Sequence, residues 1–410
     1  MVPNGWVKTR LGSVAELQRG FDLPSSQRVD GCIPIVSSGG VTGYHSEAKS
    51  KAPGVVTGRY GSIGDVFYLE EDYWPLNTSL WVKDFHGNHE KFIYYLLSDF
   101  DFKRFSDKTG VPGVNRNDLH AVKVGLPPLP EQKKIAQVLS TWDNAISATE
   151  RLLANSQQRK KSLMQQLLTG KKRLPGFEGE NAACFSVRDG YAKSKLGMLP
   201  NDWKVDVIKK HLWFQEGPGV RLSQFTEEGV KLFNGTNIQS NNIDLSNTRT
   251  HISRDEAYGP YKHFLIDDGD LLIACSGVSI DKFDEKIAFA SLHHLPLCMN
   301  TSTMRFKEVS KGTVCINYFK YFLQSNLFKN QIRRQATGSA QLNFGPSHVG
   351  VCYVVIPTIK EQQAIANVLT TADREIDALK QRVDYLKQEK KALMQQLLTG
   401  KRRVQVGDAA

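Results

Sequence analysis

The sequence lacks the usual marks of membrane and secreted proteins. It contains no run of about eighteen apolar residues, so no transmembrane helix is predicted. Its first ten residues, MVPNGWVKTR, have no apolar core like that of a signal peptide. The six cysteines are scattered without a CxxC spacing, which indicates neither a disulfide framework nor a zinc site. These absences together predict a cytoplasmic protein.

The motifs of enzymes that act on nucleic acids are also missing. An amino-methyltransferase should carry an Asp/Asn-Pro-Pro-aromatic motif, but the one Pro-Pro pair, Pro127-Pro128, has leucine on both sides. TGKK at 169–172 ends like a phosphate-binding loop but has glutamine where the first glycine of that motif belongs. His86-x-x-His89 has no further metal-ligand pattern. We therefore predict no catalytic residue, cofactor site or metal site on this chain.

Length and charge are informative about domains and partners. A chain of 410 residues suggests two or three domains. The net charge of +11 and the isoelectric point of about 9.2 favour a polyanionic partner such as a nucleic acid, although basic charge alone does not identify one.

The most informative feature is an internal repeat. LMQQLLTGKKR at 163–173 returns as LMQQLLTGKRR at 393–403, and the same offset of 230 aligns Pro-x-x-x-Glu-Gln-x-x-Ile-Ala at 127–136 with 357–366. Upstream, Pro-x-x-Trp and Gln-x-Gly each occur twice at an offset of 197, and Thr-Gly-x-x-x-x-Asn occurs twice at an offset of 228. The chain therefore has two halves with similar sequences at their starts and ends, and the stretch between these repeats is longer in the second half.

The repeated edges predict two long helices that pair as an antiparallel coiled coil. Apolar residues recur at spacings of four and three for more than four heptads in each copy, and we call this line of residues the seam. A glycine follows each seam. Each helix, from about Glu131 to Thr169 in the first copy, would be about 58 Å long. The alternative is two amphipathic helices packed separately into two cores. The predicted pairing residues are Ile135, Leu139, Trp142, Ile146, Leu153, Leu163, Leu167, Ile365, Leu369, Ile376, Leu379, Val383, Leu386, Leu393 and Leu397.

A lysine interrupts each seam at the equivalent position, Lys160 and Lys390. With the helix ends aligned, Lys390 would lie near Trp142, where a cation–π contact could form. A buried polar residue of this kind can fix the register of two helices.

The two interiors have the pattern of mixed, strand-rich domains. PGVVTGRYGSIGDVFYLE at 53–70 and GDLLIACSGVSIDKF at 269–283 each predict strand, glycine turn and strand, and Asn-Thr-Ser follows both. A short aromatic helix comes next in each half, with its aromatics spaced like a core face. The predicted fold class is α+β, with two recognition-size domains joined by two long helices.

The duplicated PxxxEQxxIA…LLTGKxR element, each copy preceded by a domain that opens with PxxW, resembles the specificity subunit of type I restriction–modification systems. The resemblance covers nearly the whole chain. It implies target recognition domains at 1–126 and 198–355, spacer helices at 127–174 and 356–404, a linker at 175–197, a tail at 405–410 and pseudo-two-fold symmetry.

The same resemblance implies a DNA-binding subunit without catalytic activity. Each recognition domain would read one half of a split, asymmetric target, with half-site centres on the order of 34 Å apart. The partners implied are double-stranded DNA, two modification subunits that bind S-adenosylmethionine, and two restriction subunits that use ATP and Mg²⁺.

Polar turns and loops are the candidates for DNA contact, because base edges and phosphates are bound by side-chain and backbone hydrogen bonds. Any one of these residues could equally be a solvated or turn-stabilising group. The predicted residues are Arg59, Tyr60, Ser62, Lys108, Thr109 and Arg116 in the first half, and Arg221, Asn237, Ser276, Ser279, Arg334, Thr337, Ser339, Gln341 and Asn343 in the second.

Two other functions remain open from the sequence. One is a stand-alone, two-headed DNA-binding or architectural protein without methyltransferase partners, and the other is a coiled-coil scaffold with no DNA role. Truncation after about residue 385 should abolish assembly with the modification subunits and leave both heads folded.

Overall fold

The computed structural model describes residues 3–106, 113–177, 190–309, 313–336 and 341–406. The chain divides into two compact units. Unit 1 contains Met1–Leu153 and Leu379–Ala410, and unit 2 contains Ala154–Ala378. Each unit consists of a strand-rich head and parts of two long helices, so neither unit is a continuous stretch of sequence. We call residues 3–126 head 1 and residues 190–356 head 2.

Head 1 is built from short strands and few helices. Its α-helices are Glu90–Ser98 and Arg116–Ala121, with single 3-10 turns at Leu11–Ser13, Ser25–Gln27 and Phe102–Phe105. Its strands are Val7–Arg10, Glu16–Arg19, Ile33–Ser37, Gly40–His45, Gly54–Gly58, Val66–Leu69, Trp74–Pro75, Ser79–Asp84 and Lys123–Leu126.

Head 2 has more elements of the same kinds. Its α-helices are Arg254–Tyr258, Ile316–Gln324, Asn326–Gln335 and Pro346–Gly350, with 3-10 turns at Ile208–Lys210, Leu222–Gln224, Gly235–Asn237, Lys262–Phe264, Ile280–Glu285 and Leu292–His294. Its strands are Tyr191–Ser194, Gly197–Pro200, Lys204–Val207, Leu212–Glu216, Phe225–Thr226, Val230–Phe233, Ile238–Gln239, Asn242–Ile243, His251–Ile252, Leu271–Ala274, Ile287–Phe289, Leu297–Met299, Thr303–Glu308 and Tyr353–Ile356.

The two heads share one sheet topology. Head 1 has an antiparallel sheet in the order 16–19, 79–84, 54–58, 66–69, and head 2 has the matching order 212–216, 303–308, 271–274, 287–289. Each head also pairs its first repeated strand with the strand that precedes a long helix, 7–10 with 123–126 and 204–207 with 353–356. The interiors that differ in sequence therefore follow the same fold.

The long helices run from Leu129 to Leu167 and from Ile359 to Leu397, and we call them spacer helix 1 and spacer helix 2. In unit 1, Glu150 pairs with Lys387 and Asp143 with Lys390. In unit 2, Ser156 donates to Glu375 and Lys160 pairs with Asp373. In each unit, a later residue of spacer helix 1 contacts an earlier residue of spacer helix 2, so the two helices run antiparallel. The predicted antiparallel packing and the α+β class are therefore confirmed.

The predicted seam residues divide into two buried groups and a half-buried one. One group packs into a head: Ile135, Leu139 and Leu397 belong to the core of unit 1, whereas Leu167, Ile365 and Leu369 belong to the core of unit 2. The other group is buried along the middle of the helices, namely Ile146, Ile376, Val383 and Leu386. Trp142, Leu153, Leu163, Leu379 and Leu393 are half-buried. One heptad pattern thus describes both helix pairing and helix–head packing.

Neither spacer helix, nor any other helix in the described ranges, is long and apolar enough to span a bilayer.

Two histidines of head 1 should make the free energy of unfolding of unit 1 depend on pH. The N–H of Leu17 donates to Nε2 of His120 (2.8 Å), and the N–H of Phe92 donates to Nδ1 of His89 (3.4 Å). Burial lowers the pKa of both imidazoles. Their contribution is therefore complete above the unfolded pKa of about 6.5 and is lost as the pH falls toward the lower folded pKa.

Hydrogen exchange of the full chain at pH 7.5 and 5.5, corrected for intrinsic rates, measures this effect. Protection of the Leu17 amide should fall at pH 5.5, because the imidazole of His120 takes up a proton more readily when this segment opens than in the folded chain. The His120→Gln variant, whose side chain does not titrate, should show a smaller pH difference at that amide. Equal protection at both pH values in the parent chain would contradict the assignment.

Candidate nucleic-acid interface

In head 1 the tripeptide Asn77-Thr78-Ser79 connects three loops. The carbonyl oxygen of Thr78 accepts from the N–H groups of Arg59 and Tyr60 (3.0 and 3.3 Å), and its hydroxyl accepts from the N–H of Ser38 (3.4 Å). The N–H of Asn77 donates to the carbonyl oxygen of Phe21 (3.0 Å). These bonds bring loops that are distant in sequence to one end of the four-stranded sheet.

The segment before spacer helix 1 joins the same set of loops. The N–H of Val114 donates to the carbonyl oxygen of Arg59 (3.1 Å), and Tyr60 forms a β-bridge with Gly113. The guanidinium of Arg59 lies 4.6 Å from the ring centre of Tyr60. We define loop edge 1 as residues 20–24, 37–40, 58–62, 76–79 and 113–116.

The predicted residues of head 1 lie on loop edge 1 where the structure describes them. Arg59 and Tyr60 are half-buried, and Ser62 is exposed. Arg116 is exposed in the first turn of its helix, which the side chain of Asn115 caps. Lys108 and Thr109 lie outside the described residues.

Head 2 repeats this arrangement around Asn300-Thr301-Ser302. The carbonyl oxygen of Ser302 accepts from the N–H of Cys275 and its hydroxyl accepts from the N–H of Gly235, both at 2.9 Å. The N–H of Gly217 donates to the adjacent Thr303 carbonyl oxygen (3.0 Å). We define loop edge 2 as residues 217–224, 234–237, 275–279, 300–302 and 341–344.

Two predicted loops of head 2 meet through side chains. The carboxamide oxygen of Asn343 accepts from the hydroxyl of Ser276 (2.7 Å) and from the N–H of Gly277 (2.9 Å). Val278 and Leu342 form a β-bridge beside them. Ser276 and Asn343 therefore hold the loops together in the unbound chain.

The other predicted residues of head 2 vary in position. Arg221 and Gln341 are exposed on loop edge 2, and Ser279 is half-buried at the start of a 3-10 turn. Arg334 is exposed in the last turn of the helix Asn326–Gln335. Thr337 and Ser339 lie outside the described residues.

Asn237 has a different environment from the other candidates. It is 7% exposed, its amide donates to the Asp244 carbonyl oxygen (3.0 Å) and the Thr248 hydroxyl (2.6 Å), and its carboxamide oxygen accepts from the Asn234 N–H (2.8 Å). It would have to give up these internal bonds to contact a base.

The two tripeptides that connect the loops have a signal in the sequence, although the sequence alone did not indicate their role. Both heads have Asn-Thr-Ser, and both have Gln-x-Gly on the strand beside it. A Cβ at Gly20 would overlap the carbonyl group of Leu76, and one at Gly217 would overlap that of Asn300. The repeated glycines therefore allow the backbone to approach the tripeptide.

Loop edges of this composition can bind nucleic acid. Arginine, tyrosine, serine and carboxamide side chains lie beside backbone N–H groups, and these groups hydrogen-bond to phosphates and base edges. The two edges share Asn-Thr-Ser and the asparagine of Thr-Gly-x-x-x-x-Asn but differ elsewhere, since Arg59 and Tyr60 stand on loop edge 1 and Ser276 and Gln341 on loop edge 2.

A group that could hold a metal ion lies at the opposite end of the head 1 sheet. Ligand atoms of Glu16, Asp84 and His86 lie within 4.8 Å of one another. Lys83 is 3.5 Å from Glu16, and His86 is 3.6 Å from Asp84, so the carboxylates already have basic neighbours.

The short motifs that occur in both halves of the sequence meet in one cluster in unit 1. The indole N–H of Trp6 donates to Glu131 (3.0 Å), and Arg403 donates to both oxygens of that carboxylate (2.6 and 2.8 Å). Gly400, with φ +70°, lies against Pro3, where a Cβ would overlap the proline ring. Pro-x-x-Trp, Glu-Gln and Gly-Lys-x-Arg are therefore parts of one contact.

Unit 2 has the same cluster with the other copy of each motif. Trp203 donates to Glu361 (3.0 Å), and Arg173 donates to its two oxygens (2.8 and 2.7 Å). Arg173 also binds Asp202 with two hydrogen bonds of 2.9 Å. In each unit the arginine comes from the end of one spacer helix and the glutamate from the start of the other.

The glutamine after each glutamate fixes the start of its helix to the head. Gln132 accepts from the N–H of His89 (2.9 Å) and donates to the carbonyl oxygen of Pro127 (3.0 Å). Gln362 makes the equivalent bonds with Cys315 (2.8 Å) and Pro357 (2.9 Å).

The lysines of the seam bind an aspartate and a tyrosine of the aromatic helix. Lys390 lies 2.5 Å from Asp143 and 5.2 Å from the ring centre of Tyr95, whose hydroxyl donates to Asp143 (2.6 Å). The cation–π partner is thus Tyr95 and not the predicted Trp142, because the aromatic helix packs against this part of the seam.

The matching group in unit 2 contains a further lysine. Tyr321 donates to Asp373 (2.8 Å), and both Lys160 and Lys320 pair with that carboxylate. Burial alone would raise the pKa of Asp373, but the two lysines and the tyrosine hold it below its usual value. Burial lowers the pKa of Lys320.

Comparisons with known proteins agree with this architecture. A family model described as the type I restriction modification DNA specificity domain matches residues 3–155 and 200–388. The chain is similar to the type I restriction enzyme MjaVIII specificity subunit of Methanocaldococcus jannaschii, with 28% identity over 317 residues that cover 76% of this chain and 70% of that protein. It is also similar to the putative MjaX specificity subunit of the same organism, with 26% identity over 326 residues covering 76% and 68%.

A solved structure shares the fold over almost the whole chain. The S subunit of a type I restriction–modification system from M. genitalium matches with a TM-score of 0.61 and 14% identity, covering 97% of this chain and 98% of that one.

Proposed function

Because the chain belongs to the type I restriction modification DNA specificity family, we propose that it selects DNA sequence for a larger complex and catalyses no reaction itself. Loop edge 1 binds one half of a split DNA target and loop edge 2 binds the other half. The observation that carries this proposal is the convergence of several polar loops on an Asn-Thr-Ser tripeptide in each head.

The target of such a protein is asymmetric. The two heads share the strand order of one four-stranded sheet but have different side chains on their loop edges, and sequence is read by side chains that reach base edges. Two identical edges would read a palindrome. A shared sheet order with different side chains on loop edge 1 and loop edge 2 therefore supports a DNA site with two different halves.

The partners proposed are two modification subunits and two restriction subunits. S-adenosylmethionine, ATP and Mg²⁺ belong to those subunits, and the complex works on DNA in the cytoplasm. A test of the partners is co-expression with a modification subunit followed by mass measurement of the purified complex. A complex with other than two copies of that subunit would contradict the stoichiometry.

Sequencing of methylated bases in the host, with and without this gene, identifies the target. A bipartite motif that disappears with the gene supports the proposal. If no methylated motif depends on the gene, the recruiting function fails while DNA binding remains testable.

Arg59→Ala should weaken binding to the identified target and relax selectivity in one half-site only. Loss of one base contact costs about 1–3 kcal/mol, so we expect a loss of affinity of about fivefold or more. Fluorescence anisotropy of the full chain with labelled duplex at several salt concentrations measures this, and affinity should fall steeply with salt.

The matched control is Arg10→Ala. Arg10 is exposed on the strand that pairs with 123–126, away from loop edge 1. Equal losses in the two variants would indicate that net charge, and not position, determines the effect.

A further inference from the structure

We propose that Leu222 is an apolar wedge that inserts between stacked base pairs of the half-site bound by head 2. The inference rests on the proposed function, since it requires loop edge 2 to face DNA. Leu222 is 83% exposed, and the neighbouring Arg221 and Ser223 are exposed as well. Single exposed leucines are common on protein surfaces, so the position and the rigidity of this one are decisive.

The position of Leu222 is within loop edge 2. The loop that carries it begins at Gly217, whose N–H donates to Thr303 next to the Asn-Thr-Ser tripeptide (3.0 Å). Gly219 lies beside the methyl group of Thr301. Leu222 lies three residues after Gly219 on the loop that begins at this contact, within loop edge 2 as defined above.

The turn that presents Leu222 is held on both sides. Val220 packs against the apolar cluster of Val230, Leu232, Ile252, Ala257 and Cys298. After the leucine, Gln224 accepts from the N–H of Arg221 (3.0 Å) and donates to Glu256 (2.8 Å). Because the backbone of the turn is held in this way, the turn loses little conformational entropy when it binds.

The chemistry of the turn fits a deformed duplex. Proteins that kink DNA place an apolar side chain between two base pairs in the minor groove, and nearby arginines bind the groove or its phosphates. Arg221 and Leu222 provide these two groups on adjacent residues. The burial of the leucine between bases would offset part of the cost of unstacking them.

Head 1 has the same turn without the wedge. The offset of 197 that aligns Gln-x-Gly also aligns the 3-10 turn Ser25–Gln27 with Leu222–Gln224, and both turns occur in the structure. Ser25 is exposed and occupies the position of Leu222. The deformation should therefore be confined to one half-site, which makes the two heads different in mechanism as well as in sequence preference.

The test uses DNA duplexes that contain the target sequence identified by methylation sequencing, with 2-aminopurine replacing one base at a time. The full chain is used without modification subunits, so that base flipping by a methyltransferase does not contribute. Binding should increase the fluorescence at one step in the half-site of head 2 and at none in the other. Leu222→Ser should remove the increase and weaken binding by about three- to tenfold, as truncation of one interface side chain does.

Leu292→Ser is the matched control, because Leu292 is 74% exposed and follows the strand Ile287–Phe289 at the opposite end of the sheet. It should leave both affinity and fluorescence unchanged. The wedge is refuted if the parent chain binds with no fluorescence increase, if Leu222→Ser retains the increase, or if Leu292→Ser loses it equally. If the parent chain does not bind DNA at low salt, the proposed function fails and this inference with it.

Discussion

Truncation after residue 385 is expected to unfold head 1 and to leave unit 2 folded. The deleted segment includes Met394, Leu397 and Leu398, which are buried in the core of unit 1 beside Trp6 and Ile135. Burial of each such side chain is worth about 1.5–3 kcal/mol. Together they approach the whole stability of a typical domain, about 5–15 kcal/mol.

The same truncation removes the partner of a buried carboxylate. Glu131 is 3% exposed and loses Arg403, which supplies two of its hydrogen bonds. A buried carboxylate that loses its partner destabilises the unit further. The structure therefore leads to the opposite expectation for head 1 from the one drawn from the sequence, because unit 1 is built from both ends of the chain.

Hydrogen exchange measured by mass spectrometry distinguishes the units. In the truncated chain, protection should be lost in strands 54–58 and 79–84 and retained in strand 271–274. A chain that ends at residue 406 is the control and should match the parent chain. Retained protection in head 1 after truncation at 385 would contradict this account of its core. Failure of such a truncated chain to bind modification subunits would not by itself identify spacer helix 2 as their binding site.

Arg173→Met should destabilise unit 2 by more than Arg403→Met destabilises unit 1. Both arginines bind a buried glutamate with two hydrogen bonds, but the Arg173 side chain is 13% exposed and that of Arg403 is 42% exposed. Water can therefore replace part of the lost interaction at Glu131 more easily than at Glu361. We expect a loss of about 3–5 kcal/mol for Arg173→Met, the range for a broken buried ion pair.

A second substitution tests whether the unpaired charge causes the loss. In an Arg173→Met chain, Glu361→Gln should restore part of the stability, because a neutral amide of the same shape can still accept from Trp203 without carrying a buried charge. Exchange rates in strands 271–274 and 54–58 report the two units separately. Equal losses in the two arginine variants, or no recovery in the double variant, would show that packing and not charge dominates.

The spacer helices illustrate what a periodic pattern predicts well. Apolar residues every three or four positions, with Gly170 and Gly400 at the ends, place the helices within about two residues of Leu129–Leu167 and Ile359–Leu397. The pattern did not indicate that Ile135 and Leu167 pack into heads, because a residue buried against a head and one buried against a helix have the same spacing and the same apolar character.

The loop edges illustrate the opposite case. Turn chemistry predicted the glycine turn at 58–64 and the loop around Asn343, but loops 20–24 and 37–40 were not predicted to join the glycine turn. Hydrogen bonds such as Thr78 with Arg59, or Ser302 with Cys275, link residues whose separation in sequence sets no rule for their approach in space. Asn237 looked like any polar loop residue, and only its burial and three internal bonds distinguish it.

The sequence by itself determined that this protein has two equivalent halves, each with a head and a long helix, since a duplicated segment folds in the same way in both places. The tertiary structure decided which ends meet: Arg403 binds Glu131 in the unit that contains Trp6, and Arg173 binds Glu361 in the unit that contains Trp203. The reason is that a helical period specifies which face of a helix is buried, whereas the partner of that face depends on long-range packing and on the pairing of a few buried charges.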